Sequence, residues 1–150
     1  MAVLEFQGEE LFACTPEKLF AAMTDPDVLA ATIPDLESSE RVGEHGLKCV
    51  VRPGFSFLRG TMKMEIEMKD LVPPKSAAMQ VQAKGIGATL DIASTMQIEP
   101  VDGGKSKLLW KTSIVKLSGL VATVSRPLIQ GAAGQIAKIT WEKVRKHVEA

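Results

Sequence analysis

Catalysis in this chain would have to be assembled almost entirely from carboxylates and amines. Tyrosine is absent from the 150 residues, and histidine occurs twice, as His45 in the turn-like Gly-Glu-His-Gly and as His147 near the end. The carboxylates Glu65, Glu67, Asp91 and Glu99 alternate with apolar residues, which puts them on the outer faces of strands. No acid–base pair therefore converges on a common site. No nucleophile stands at a useful spacing from a histidine, and Gly85-Ile86-Gly87 lacks the strand–helix context of a phosphate loop. Cys14 and Cys49 form neither a metal motif nor a disulfide framework, and read as small, reduced apolar residues. No catalytic residue, metal or cofactor is expected.

Binding chemistry is better represented. Met62, Met64, Met68, Met79 and Met96 recur on the apolar side of the alternation. Flexible, polarizable thioethers suit a wall that accommodates a large apolar ligand, and equally serve as ordinary core filler. Leu90, Ile92, Ser94, Trp110 and Thr112 share that face. There a hydroxyl fixes a carbonyl or headgroup, or is satisfied by backbone or water, and Trp110 either stacks on a flat ring or packs. Val124 and Leu128, from the apolar stripe of the last helix, complete the ligand-binding set. Lys138, Trp141, Lys143, Arg145 and Lys146 put an aromatic among cations. They read either as a surface for anionic membrane or an acidic partner, or as a solvated helix end complementing the macrodipole.

Charge excludes one class of partner. With 18 bases against 18 acids the net charge is zero, not that of a dedicated nucleic-acid binder. Met1 to His45 nevertheless holds ten acids and two bases, a net of −8, while Gly103 to Ala150 holds nine bases and two acids, a net of +7. Such a dipole either orients the protein toward a charged partner or is consumed by pairing between the two ends. No stretch nears the ~18 consecutive apolar residues of a transmembrane helix. The N-terminus carries Glu5, Glu9 and Glu10 where a signal peptide would be apolar, so the expected compartment is the cytoplasm.

The elements that must position these residues follow from period and punctuation. Val3 to Phe12 is extended. Thr15 and Asp25 are helix caps with Pro16 and Pro26 at the first helical positions, so two short helices follow, over Pro16–Met23 and Pro26 to about Ile33. From Glu37 to Lys116 the period is two. Leu58, Gly60, Met62, Met64, Ile66 and Met68 alternate with charged or polar residues until Pro73-Pro74, and further alternating runs lead to Asp102-Gly103-Gly104, a hairpin signal. From about Leu120 the period is helical, with Val121, Val124, Leu128, Ala132, Ile136 and Ile139 forming a stripe. Pro127 within it predicts a kink between Val124 and Leu128, or else sits in a first turn capped by Ser125. With Gly119 as a hinge, a kinked helix would control access to the interior. Residues 1–150 thus form a single α+β domain, a curved antiparallel sheet of seven strands wrapped around a long C-terminal helix.

Four stretches carry a family resemblance. They are Phe6-Gln7-Gly8-Glu9-Glu10 leading to Thr15-Pro16-Glu17-Lys18-Leu19-Phe20, then Asp25-Pro26-Asp27-Val28-Leu29-Ala30-Ala31-Thr32-Ile33-Pro34-Asp35-Leu36-Glu37, then Gly85-Ile86-Gly87, and last Lys116-Leu117-Ser118-Gly119-Leu120-Val121-Ala122. On these the chain resembles the carbon monoxide dehydrogenase G-subunit family, within the helix-grip superfamily of START and birch-pollen-allergen-like proteins. Relatives often place Gly-Cys after Ile-Pro, where this chain has Asp35-Leu36. The resemblance implies a non-catalytic accessory protein that binds an apolar, quinone- or lipid-like small molecule in an internal cavity. It implies association with a molybdenum hydroxylase of the CO dehydrogenase type and peripheral contact with the inner face of the membrane. The alternative is a polyketide-cyclase-like enzyme of the same fold, which would want inward Tyr, His, Asp or Arg.

Overall fold

A computed structural model describes residues 4–52, 60–85, 87–119 and 125–149. The order is β1 (Leu4–Phe12), α1 (Pro16–Met23), α2 (Pro26–Thr32), β2 (Leu36–Val42), β3 (Gly46–Val51), β4 (Met62–Val72), β5 (Ser76–Gly85), β6 (Ala88–Val101), β7 (Lys105–Gly119) and α3 (Arg126–Val148). The strands form one seven-stranded antiparallel sheet in the order β1-β7-β6-β5-β4-β3-β2. Register shifts between Leu36 and Ser38, Lys69 and Val72, and Asp91 and Ile92 interrupt the ladders, and bulges of this kind bend and twist a sheet. This is the curved sheet and closing helix expected from the two-residue period, in the helix-grip arrangement that the resemblance implies.

The short helices form where their caps say. Thr15 Oγ1 accepts from the Lys18 amide at 3.3 Å and Asp25 Oδ1 accepts from the Asp27 amide at 2.9 Å, each with proline opening the helix. Those bonds satisfy amides that have no partner within the helix. After α2 the chain turns through Asp35, whose φ of 60° is left-handed. Glycine takes that conformation without the Cβ penalty that Asp35 carries.

Two expectations for the last helix are corrected. Residues 120–124, Val124 among them, lie outside the described residues. Within those described, α3 begins at Arg126 with Ser125 as N-cap, and Pro127 stands in the first turn. The missing amide of Pro127 therefore breaks no helical bond, and no kink arises from it. Ser125 has N-cap backbone geometry, although its side chain makes no capping hydrogen bond. Gly119 does not adjoin α3 either. It is the last ladder residue, paired with Ala88, with φ 82° and the Gly87 carbonyl filling the place of a Cβ.

The apolar stripe also lies elsewhere than expected. The buried residues of α3 are Ile129, Val144 and Val148, whereas Leu128 and Ile136 remain 47% and 40% exposed. Side chains four apart stack on one side, so Ile129, Ala133 and Ala137 share the buried side with Val144 and Val148. The apolar period misled because α3 is rich in small residues between Gly131 and Ala137, which leaves the large anchors at its ends to set its rotation.

Two apolar cores result. One joins Leu4, Leu47, Cys49, Val51, Met62, Ile66, Val81, Ala83, Ala88, Ile114 and Ile129. The other joins Phe12, Cys14, α1, Ala77, Ile98, Leu108, Val144 and Val148. The helix is thus held at its first turns by one core and at its last turns by the other. From Ile129 to Val144 is about 22 Å along the axis at 1.5 Å per residue.

Opposite charges at the two ends of the chain pair within the molecule, as Lys107–Glu9 at 3.3 Å, Lys111–Glu5 at 3.9 Å and Arg145–Glu10 at 3.3 Å. Both acids paired from β7 lie on β1, whose ladder partner β7 is. This favours the intramolecular reading of the charge asymmetry.

Candidate functional site

The antiparallel register assembles the inward residues into cross-strand rows. Phe6, Thr112, Ser94, Met79 and Met68 form one row across β1, β7, β6, β5 and β4. On one side of it lie Gly8, Trp110, Met96 and Ala77. On the other lie Leu4, Ile114, Ile92, Val81, Ile66 and Leu47, then Leu117, Leu90, Ala83, Met64 and Cys49. Ten predicted residues, Met62, Met64, Met68, Met79, Leu90, Ile92, Ser94, Met96, Trp110 and Thr112, therefore share the inner face. Val124 lies outside the described residues. Leu128 belongs to neither core and is 47% exposed.

Depth divides that face. Met62 and Met68 are the deepest of the methionines, 4% and 5% exposed. Met64, Met79, Leu90 and Ile92 are only partly buried although they face inward, as are Phe6 and Leu117, which sequence reasoning missed. The alternation Leu4, Phe6, Gly8 was available as a signal for Phe6. Ser94 and Thr112 belong to neither core and lie in the row where the two meet, with Met79 and Ile92 against one and Met96 and Trp110 against the other. Their hydroxyl oxygens are 2.9 Å apart.

The aromatic floor beside this seam depends on the helix. Trp141 stands 5.9 Å from Trp110 and 6.2 Å from Phe12, ring centre to ring centre. Arg145 lies 5.0 Å from the Phe12 ring centre and donates to Glu10 Oε2 and the Leu11 carbonyl oxygen. Two members of the expected basic surface are thus drawn inward, because an indole and a guanidinium stem bury more favourably against Phe12 than in water. Lys138, Lys143 and Lys146 remain exposed.

The outer face carries two shallow depressions of about 790 and 680 Å³. Outward residues such as Gln7, Glu9, Thr95 and Lys111 line most of the first, with Gly8, Ala77, Met96 and Trp110 also at its wall, and Lys48, Glu65, Glu67 and Gln82 line most of the second, with Leu47, Ile66 and Met68. Burial pushes the Cys14 and Cys49 thiols up from their ordinary 9.0, so neither is an activated nucleophile. Among the described residues no cluster of three or more His, Cys, Asp or Glu is placed to hold a metal, and no helix is long and apolar enough to cross a membrane.

The sequence profile of the carbon monoxide dehydrogenase G subunit (CoxG) matches residues 8–149. The chain belongs to the CoxG family. Among curated proteins, none matches this sequence. Solved structures support the fold of this CoxG-family chain. A conserved protein from Geobacillus kaustophilus is 22% identical with a TM-score of 0.90, over 97% of this chain and 95% of that one. A START superfamily protein from Mycobacterium smegmatis is 10% identical with a TM-score of 0.69, over 97% of both chains. Ara h 8.0201 is 17% identical with a TM-score of 0.67, over 97% of both chains.

Proposed function

We propose that this CoxG-family chain is a non-catalytic accessory protein that holds an apolar, quinone- or lipid-like small molecule between the concave face of its sheet and α3. The observation that carries the reading is the gap between the two cores. Phe6, Met64, Met79, Leu90 and Ile92 point inward yet stay partly exposed, and among the described residues α3 adds nothing to either core between Ile129 and Trp141. A close-packed interior would not leave such a face half-buried. The family's name supports work beside a CO-dehydrogenase-type molybdenum hydroxylase. The exposed Lys138, Lys143 and Lys146 support peripheral contact with an anionic membrane or partner. A cyclase reading lacks support: among the described residues the inner face carries one carboxylate, Glu10, and Arg145 pairs with it.

The test is titration with Nile red, a neutral apolar fluorophore, alongside mass spectrometry of organic extracts of the purified protein. Saturable binding with one site per chain is expected, lost in Met64→Lys at unchanged circular dichroism. Absence of saturable binding, or binding unaffected by Met64→Lys, overturns the reading.

A further inference from the structure

The apolar stripe read from the sequence of α3 exists, but it faces away from the sheet. Leu128, Ala132, Ile136 and Ile139 follow helical spacing over about 17 Å of the helix, at 1.5 Å per residue. Successive residues turn about 100°, so this line stands roughly a third of a turn from Ile129, Val144 and Val148, which hold α3 to the two cores. Leu128 and Ile136 are 47% and 40% exposed, and among the described residues no helix leaves another large apolar side chain so open. Ala132 and Ile139 are half-buried, and beside them a Cβ on Gly131 would meet nothing within 4 Å. One surface helix carries two apolar faces, and the fold uses only one of them.

Charge selects what covers the second face. The line continues into Lys143 and Lys146, with Lys138 on its flank, and all three are exposed. Glu142 is the one acid of α3, and among the described residues none of the three lysines makes an ion pair. A second copy of this helix fits badly. Antiparallel packing would set Lys143 and Lys146 against Arg126, and parallel packing would set them against themselves. A bilayer fits little better, because an interfacial helix turns its aromatic residues to the lipid, and Trp141 is turned inward against Phe12 and Trp110. Low relief at Gly131 and Ala132, between the larger Leu128 and Ile136, instead seats the side chains of another helix. We infer that the outer face of α3 is a docking surface for an acidic, apolar-striped helix of a partner protein. Its apolar residues lie along Leu128 to Ile139 and its carboxylates meet Lys143 and Lys146. This commits the contact surface named above to a protein and does not depend on the cavity.

Two fluorescein-labelled helical peptides with the same leucine stripe, one flanked by glutamate and one by lysine, test this by fluorescence anisotropy. The wild-type chain should bind the glutamate peptide saturably, one per chain, and the lysine peptide about tenfold more weakly. That preference should shrink in high salt. Leu128→Ser with Ile136→Ser should weaken the glutamate peptide by about tenfold or more, the loss of two central apolar contacts. Both residues are exposed, so circular dichroism, Tm and Nile red binding should hold. Lys143→Glu with Lys146→Glu should reverse the order of the two peptides, a result that damaged folding does not produce. No saturable binding of the glutamate peptide, equal binding of both peptides, or binding untouched by either double variant overturns the inference. Displacement of Nile red by the peptide overturns it too, since the peptide would then occupy the cavity. Vesicles of phosphatidylcholine and phosphatidylglycerol that pellet the wild type but not the Leu128→Ser/Ile136→Ser variant would give the face to a bilayer. A dimer in sedimentation that the same variant dissolves would give it to a second copy, and either result overturns the inference. Failure of Nile red to bind touches the cavity reading alone.

Discussion

The Trp110 indole covers Gly8 so closely that a Cβ on Gly8 would lie 2.9 Å from Trp110 Cζ2 and 3.0 Å from Nε1. The two residues are ladder partners on the inner face, and the absent side chain of one is the seat of the other. Gly8→Ala should push the indole toward Met96 and Trp141, at about 1–3 kcal/mol for an overpacked site. In a chain of this length that lowers Tm by roughly 2–10 °C, measurable by thermal unfolding. Tryptophan emission should shift with it, and an unmoved spectrum with unmoved Tm would contradict the contact.

Arg145 ties the end of α3 to β1 through Glu10, the Leu11 carbonyl and the Phe12 ring. Arg145→Ala should cost about 1–2 kcal/mol, since the guanidinium is a third exposed and its ion pair is partly screened. Part of that loss should shrink in high salt, where the ion pair weakens and the ring contact does not. Hydrogen exchange should quicken over Val144 to Val148 and stay unchanged at Ile129.

Pro127→Ala should do little. The proline occupies a first turn whose amides have no helical partner, so its replacement restores no bond. Stability is expected to stay within about 0.5 kcal/mol, as for surface changes without a special role. The Nile red off-rate should match the wild type, whereas slowed exchange in this variant would revive an access hinge at that point.

The two thiols set an alkaline limit. Desolvation raises both, so the unfolded chain ionises first as pH rises. Their contribution to stability is fully present below the ordinary thiol value of 9.0 and is lost as pH rises through the raised folded values. Urea midpoints should hold from pH 7 to about 9 and then fall, and Cys49→Ala should flatten that fall. Both thiols should react with Ellman's reagent at neutral pH only after unfolding.

Strand faces were legible in the sequence because the side-chain period of a strand is two and each residue carries its own polarity. Met64, Ile66 and Met68 against Glu65 and Glu67 assign inner and outer faces without any partner in view. Local hydrogen bonds made the caps at Thr15 and Asp25 legible in the same way, and the turn at Asp102-Gly103-Gly104 needed only its glycines. Depth was another matter. Met62 and Met64 are alike in type and face, yet in the closed fold one is buried and the other half-buried. The rotation of α3 was equally hidden, since a run of alanine and glycine has almost no hydrophobic period and the anchors Ile129, Val144 and Val148 act through distant partners. Trp141 among lysines reads as a surface aromatic until Phe12 and Trp110 arrive beside it. Ser94 and Thr112, eighteen residues apart, meet only because the β6–β7 register makes them neighbours. Polarity and period are properties of a short stretch of chain, whereas coverage by another element is a property of the closed fold.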